Sequence, residues 1–200
     1  VDKPVKIEKD SSPFCGLDGA GKERIGLKRI GTKWLETSLH WHEIEKEKGK
    51  YNFGETIPDL KAAGYKVKVV IVGVPQWAWN KEELKEAKKW NMSPRHSGLL
   101  PAKDKMNDWQ TFLKKAAKKY GNSVDIWEIG AEDDLRWGRN AFYRKKYSKD
   151  VQNTFAVGAF AERVADFYDR GIEALRSVLP NCKIGVIRPS GVDSLSQKLF

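Results

Sequence analysis

An α/β fold built on a parallel sheet is what this sequence predicts, and two patterns and their order point to it. The β-branched apolar run Val67, Val69, Val70, Ile71, Val72 and Val74 stops at Pro75. A run of that kind is typical of strands buried on both faces, as in parallel sheets. Further on, Trp109, Phe112, Leu113, Ala116, Ala117 and Tyr120 recur at helical spacing, with Asn107 and Asp108 as a capping pair and Gly121 as the stop. Short β-rich runs alternate with helical stretches along the whole chain, which is the rhythm of βα units.

Taken in order, residues 14–17 read as a first strand, 21–30 as a helix and 33–41 as a second strand. A helix over 57–63 closes at Gly64, and the Val67–Val74 strand follows. Strand character returns over 124–131. A long helix over 154–179 carries Phe160, Val164, Phe167, Leu175 and Val178 on one side, with Pro180 beyond it. Residues 183–187 make a fifth strand, and a helix begins near Asp193. Open doubly wound sheets and closed (β/α)8 barrels both accommodate this order. Neither G-x-G-x-x-G nor G-x-x-x-x-G-K-[ST] occurs, which disfavours nucleotide binding.

At 200 residues the chain suits one domain, residues 1–200, with material for a sizeable core in its 8 Trp, 8 Phe and 6 Tyr. That content argues against disorder, and no apolar run is long enough to cross a membrane as a helix. The start at Val1, with neither Met nor a signal peptide, reads as a processed or trimmed N-terminus. A formal net charge of +10 would suit a nucleic-acid partner. The lysines, however, sit on amphipathic helical faces such as Lys114, Lys115, Lys118 and Lys119, or are interleaved with Glu82, Glu83 and Glu86. Those are solvated outer faces, so neither a nucleic-acid nor a membrane partner is expected. With 2 Cys the chain is neither a disulfide scaffold nor a Cys-rich zinc module.

In parallel α/β proteins the chemistry gathers at the carboxyl ends of the strands. The second strand leads into Glu36-Thr37-Ser38-Leu39-His40-Trp41-His42-Glu43, with Glu36, Ser38 and His40 on one face. The third leads into Pro75-Gln76-Trp77-Ala78-Trp79, the fourth into Glu128-Ile129-Gly130-Ala131-Glu132-Asp133 and the fifth into Arg188-Pro189-Ser190. Alternation places Glu128, Gly130 and Glu132 on one face, with Ile129 and Ala131 toward the helices. A carboxylate at the end of a buried strand needs a partner or a task. Trp77 and Trp79 are suited either to stacking on a sugar ring or to packing within their loop. No metal site is expected: there is no H-E-x-x-H helix, and His40 and His42 read as a polar strand end lining a cleft. No G-x-S-x-G elbow appears either.

Several of these segments, in this order, resemble clan A glycoside hydrolases. They are Gly31-Thr32-Lys33-Trp34-Leu35, Trp41-His42-Glu43-Ile44-Glu45, Lys48-Gly49-Lys50-Tyr51-Asn52-Phe53, Ala63-Gly64-Tyr65-Lys66-Val67 and Val74-Pro75-Gln76-Trp77-Ala78. Trp109, Phe112 and Tyr120-Gly121, ahead of Ile126-Trp127-Glu128-Ile129, extend the likeness over about residues 12–190. The resemblance implies a (β/α)8 TIM barrel, of which this chain carries about the first five β/α units and is incomplete at its C-terminus. It also implies a β-xylosidase- or cellulase-like enzyme that cleaves O-glycosidic bonds of an oligo- or polysaccharide outside the cytoplasm with two carboxylates and no cofactor.

On that reading Glu132 is the general acid/base and the nucleophile lies beyond residue 200. Glu36, His40, Trp77, Trp79, Asp133 and Arg188 line the carbohydrate cleft. An acid in this role must hold a proton near its working pH, which burial and the nearby Glu36 carboxylate would both favour. Ala131 stands where the family has Asn, Asp133 where it has Pro, and Glu36 where it has Arg. These departures keep open the alternative of a non-catalytic carbohydrate-binding or scaffold barrel. Cys15 and Cys182 would lie on the first and fifth strands, too far apart for a disulfide, as free thiols.

Overall fold

The computed structural model describes residues 16–17, 32–89, 100–130 and 159–186. Five strands form one sheet: β1 (Gly16–Leu17), β2 (Trp34–His40), β3 (Lys66–Val72), β4 (Ile126–Ile129) and β5 (Ile184–Val186). Each pairs in parallel with the next, in sequence order. The described helices are α1 (Trp41–Ile44), α2 (Thr56–Ala62), α3 (Lys81–Lys89), α4 (Met106–Tyr120) and α5 (Ala159–Val178). This is the α/β architecture expected, with sequential parallel strands. The expected helices over 21–30 and from Asp193 lie outside the described residues.

Strand alternation sorts the side chains between two environments. Leu35, Leu39, Val67, Val69, Ile71, Trp127 and Ile129 are buried in the core on the helix side of the sheet. They meet Trp109, Phe112, Leu113, Ala116 and Ala117 from α4 and Phe167, Ala174 and Leu175 from α5. Trp109 stacks on Phe167 at 4.7 Å between ring centres, and its indole N–H donates to the Phe167 carbonyl at 3.2 Å. Gly171 permits α5 to come this close. A Cβ there would lie 2.7 Å from Cδ1 of Ile129.

At the amino end of β4, Asp125 accepts two bonds from the Lys61 ammonium, at 2.9 and 2.8 Å. It also accepts the Val67 N–H at 2.8 Å, so one carboxylate ties α2, β3 and the start of β4 together. Gly64, at φ +80°, closes α2, and the Tyr65 N–H reaches back to the Leu60 carbonyl.

Three local expectations change. The second strand ends at His40, and Trp41–Ile44 turns into helix because the Trp41 ring is drawn into the core against Trp109 and Phe112. Helix α4 begins at Met106, so Asn107 and Asp108 fall within its first turn instead of capping it. Gly121 is right-handed (φ −51°) and leads into a 3-10 turn. Its glycine answers to crowding, since a Cβ would lie 2.6 Å from Leu179 Cδ2.

Candidate functional site

The face of the sheet turned away from the helices carries a line of charge. Register pairs Glu36 with Lys68 and Val70 with Glu128 across three neighbouring strands. The Lys68 ammonium lies 2.9 Å from Glu36 and in closer contact still with Glu128. The Glu128 side chain is only 7% exposed and that of Glu36 14%. One ammonium is therefore shared by two largely buried carboxylates, an arrangement that keeps both ionised groups tolerable away from bulk water. Glu36 thus shares Lys68 with Glu128, and two carboxylates against one ammonium leave this line with a formal surplus of one negative charge.

Alternation along β4 holds for Glu128 and Ile129 as expected. Gly130 then takes φ +79° while its N–H still bonds the Ile71 carbonyl at 2.9 Å. That left-handed step takes Gly130 out of extended backbone at the end of β4. Glu132, Asp133, Arg188, Ala131 and Cys15 all lie outside the described residues.

At the carboxyl end of β2, His40 and His42 approach edge to face at 5.6 Å. The His42 N–H donates to the Gly73 carbonyl at 2.9 Å. Gly73 has φ +74°, and a Cβ on it would fall 2.3 Å from His42 Nδ1, so only glycine lets this imidazole lie against the exit of β3. His42, Lys46, Pro75, Gln76 and Trp77 line a cleft of about 410 Å³. The structure thus brings Trp77 to the same mouth as the His40–His42 pair.

The two tryptophans differ in environment. Trp77 is half-buried, edge-on to Trp41 at 5.7 Å, with its indole N–H on the Glu45 carbonyl at 2.9 Å and the Lys48 ammonium 6.0 Å from its ring centre. Trp79 is 5% exposed, a member of the core, and donates to the Val74 carbonyl at 3.1 Å. Trp77 borders the cleft; Trp79 packs beneath it.

Beneath the mouth, Glu45 is 1% exposed and organises its surroundings. Its carboxylate accepts the Trp41 indole N–H at 2.7 Å and the Gly49 N–H at 2.8 Å. The Tyr51 hydroxyl is held far above the ordinary phenol range, first by burial and then by its bond to Glu45 and that carboxylate's charge. Cys182 is a free thiol, and burial pushes its pKa up, away from reactivity.

Sequence reasoning missed Lys68, Glu45 and the position of His42. Lys68 stands between Val67 and Val69 inside the apolar run of β3, and a lysine there signals a carboxylate on an adjacent strand. Glu45 had no comparable local signal, because its donors are gathered only by the turn after β2.

None of the known protein-family models matches the chain, and no curated protein does. Solved structures do. A family 39 glycoside hydrolase from the gut symbiont Bacteroides cellulosilyticus is 17% identical with a TM-score of 0.54, over 86% of this chain and 30% of that one. A beta-glucosidase from Exiguobacterium marinum is 17% identical with a TM-score of 0.52, over 88% of this chain and 39% of its own. The virulence factor SghA of Agrobacterium tumefaciens, solved with its substrate analog salicin, is 14% identical with a TM-score of 0.55, over 86% and 38%. The chain spans less than half the length of each of these structures. At such identities the likeness shows the fold alone: a parallel α/β sheet with helices, similar to part of TIM-barrel glycosidases.

Proposed function

We propose that this chain forms part of the wall of a (β/α)8 barrel that binds carbohydrate and hydrolyses O-glycosidic bonds, with residues 1–200 as one glycosidase-like domain. The observation that carries the reading is a sheet whose strand order matches glycosidase barrels and whose inner face is polar. Glu36, Lys68 and Glu128 occupy that face, and a cleft bordered by His42 and Trp77 lies at the carboxyl end of the strands. Purely structural barrel interiors are filled mainly by branched apolar side chains, so a row of buried charge is the departure that calls for a role.

In this proposal Glu132, just beyond β4, protonates the glycosidic oxygen as the bond breaks and later deprotonates the incoming water. A second carboxylate outside this chain attacks the anomeric carbon. His40 and Trp77 contact the sugar, with the apolar face of the indole against the ring. Asp133 and Arg188 extend the cleft in the same proposal.

The test is hydrolysis of aryl glycosides by the longest natural form of the protein and by its Glu132→Gln variant. The variant is expected to bind sugar as the parent does. It should slow substrates with poor leaving groups by about 10²–10⁴-fold, the usual worth of general acid catalysis. Equal hydrolysis of those substrates by parent and variant removes Glu132 as the acid. Sugar binding without any turnover by the parent makes the chain a binding module.

A further inference from the structure

We propose that His40, His42 and Glu43 form a binding site for a first-row divalent transition ion, zinc being the ion of choice, at the carboxyl end of β2. Each of the three residues offers a ligand atom, and these atoms lie within 4.8 Å of one another. The site arises because β2 ends at His40. Were the strand to continue, His42 and Glu43 would point to opposite faces; the helical turn at Trp41 instead gathers them beside His40.

Two of the ligands stand on rigid supports. His40 is paired in register with Val72 of β3. His42 is held by its backbone bond to Gly73 and by the close approach that this glycine permits. Imidazoles locked in this way lose little freedom when an ion binds. Glu43 is the adaptable member: its side chain is 56% exposed, and Oε1 already lies 3.6 Å from His42 Nε2.

Bonds of about 2.0–2.1 Å to zinc allow ligand atoms at most ~4.2 Å apart. The three donors therefore need to contract slightly, and the exposed carboxylate can swing inward to meet the imidazoles. Two histidines and one carboxylate suit zinc and its neighbours, whereas calcium and magnesium demand oxygen ligands. Three protein ligands leave a coordination position open beside the cleft that His42 lines. Lys46, also at that cleft, opposes a cation electrostatically and lowers the expected affinity. The metal reading does not rest on the carbohydrate reading, although both use His40 and the same cleft.

The chain holds 3 His, and the proposal assigns no ligand role to the third, His96. The experiment is calorimetric titration of the full, chelator-stripped chain with zinc chloride near neutral pH, together with imidazole nitrogen NMR spectra. Expected are one zinc per chain and shifted resonances for His40 and His42 with His96 unmoved. His42→Gln and Glu43→Ala should each weaken zinc at least about tenfold, while His96→Ala binds as the parent does. Glu43 is exposed, so its alanine variant keeps its circular dichroism, and a weakened site there cannot be ascribed to unfolding. No zinc uptake by the folded chain, parental affinity in either the His42 or the Glu43 variant, or a shifted His96 resonance overturns the proposal.

Discussion

Replacing Lys68 by methionine removes the ammonium that both Glu36 and Glu128 contact, while keeping an unbranched chain of similar length. The side chains of Glu36 and Glu128 are 14% and 7% exposed, so neither carboxylate recovers full hydration when its partner disappears. Breaking a buried ion pair from one side costs about 3–5 kcal/mol. Lys68 is itself 24% exposed, and water reaching its end of the contact moderates the loss. The expected destabilisation is about 3 kcal/mol, or roughly 6–12 °C in Tm for a chain of this size. Urea unfolding followed by tryptophan fluorescence reads it directly as a shift in midpoint at constant slope. In the double variant Lys68→Met, Glu128→Gln the second change should restore about 1 kcal/mol or more, because one of the stranded charges is gone. A Lys68→Met midpoint within about 0.5 kcal/mol of the parent, with no coupling to Glu128→Gln, would refute the claim that the shared ammonium holds the two carboxylates in place.

The remaining predictions concern the tryptophans and tyrosines. Trp79→Ala should cost about 3–5 kcal/mol of stability by urea unfolding, since a core ring and its bond to Val74 are lost. Trp77→Ala should cost less stability and should lower sugar affinity, measured by calorimetry; the reverse ranking would exchange their roles. The Tyr120 pKa is pushed up to about 12 by burial and then by the Glu55 charge, and the Tyr51 pKa is raised further still. A phenol whose folded pKa exceeds its unfolded value contributes stability that is complete below about pH 10 and lost as pH climbs through the folded value. Unfolding midpoints should therefore fall above about pH 10, and Tyr120→Phe should flatten that decline. In the parent, ultraviolet phenolate titration should show late-titrating tyrosines that disappear singly in Tyr51→Phe and Tyr120→Phe. Normal titration of both would contradict their burial.

The sequence by itself determined the order of the elements and which side of each strand is apolar. Both are local: alternation in Leu35, Thr37 and Leu39, the β-branched run from Val67, and the helical spacing from Trp109 to Tyr120 each record a burial environment within a few residues. Where elements end proved less legible. The strand through His40 stops when Trp41 finds Phe112, Trp109 and Glu45, partners distant in sequence or meaningful only after the chain turns. At Gly130 the backbone leaves the extended conformation for a left-handed φ that no neighbouring residue announces. Only the tertiary structure decided that Glu36 and Glu128 share Lys68, that Trp79 belongs to the core while Trp77 borders the cleft, and that Glu43 joins two histidines. Those facts depend on cross-strand register and loop packing. A charge repays its burial only when a partner more than thirty residues away, or around a turn, arrives at the same place.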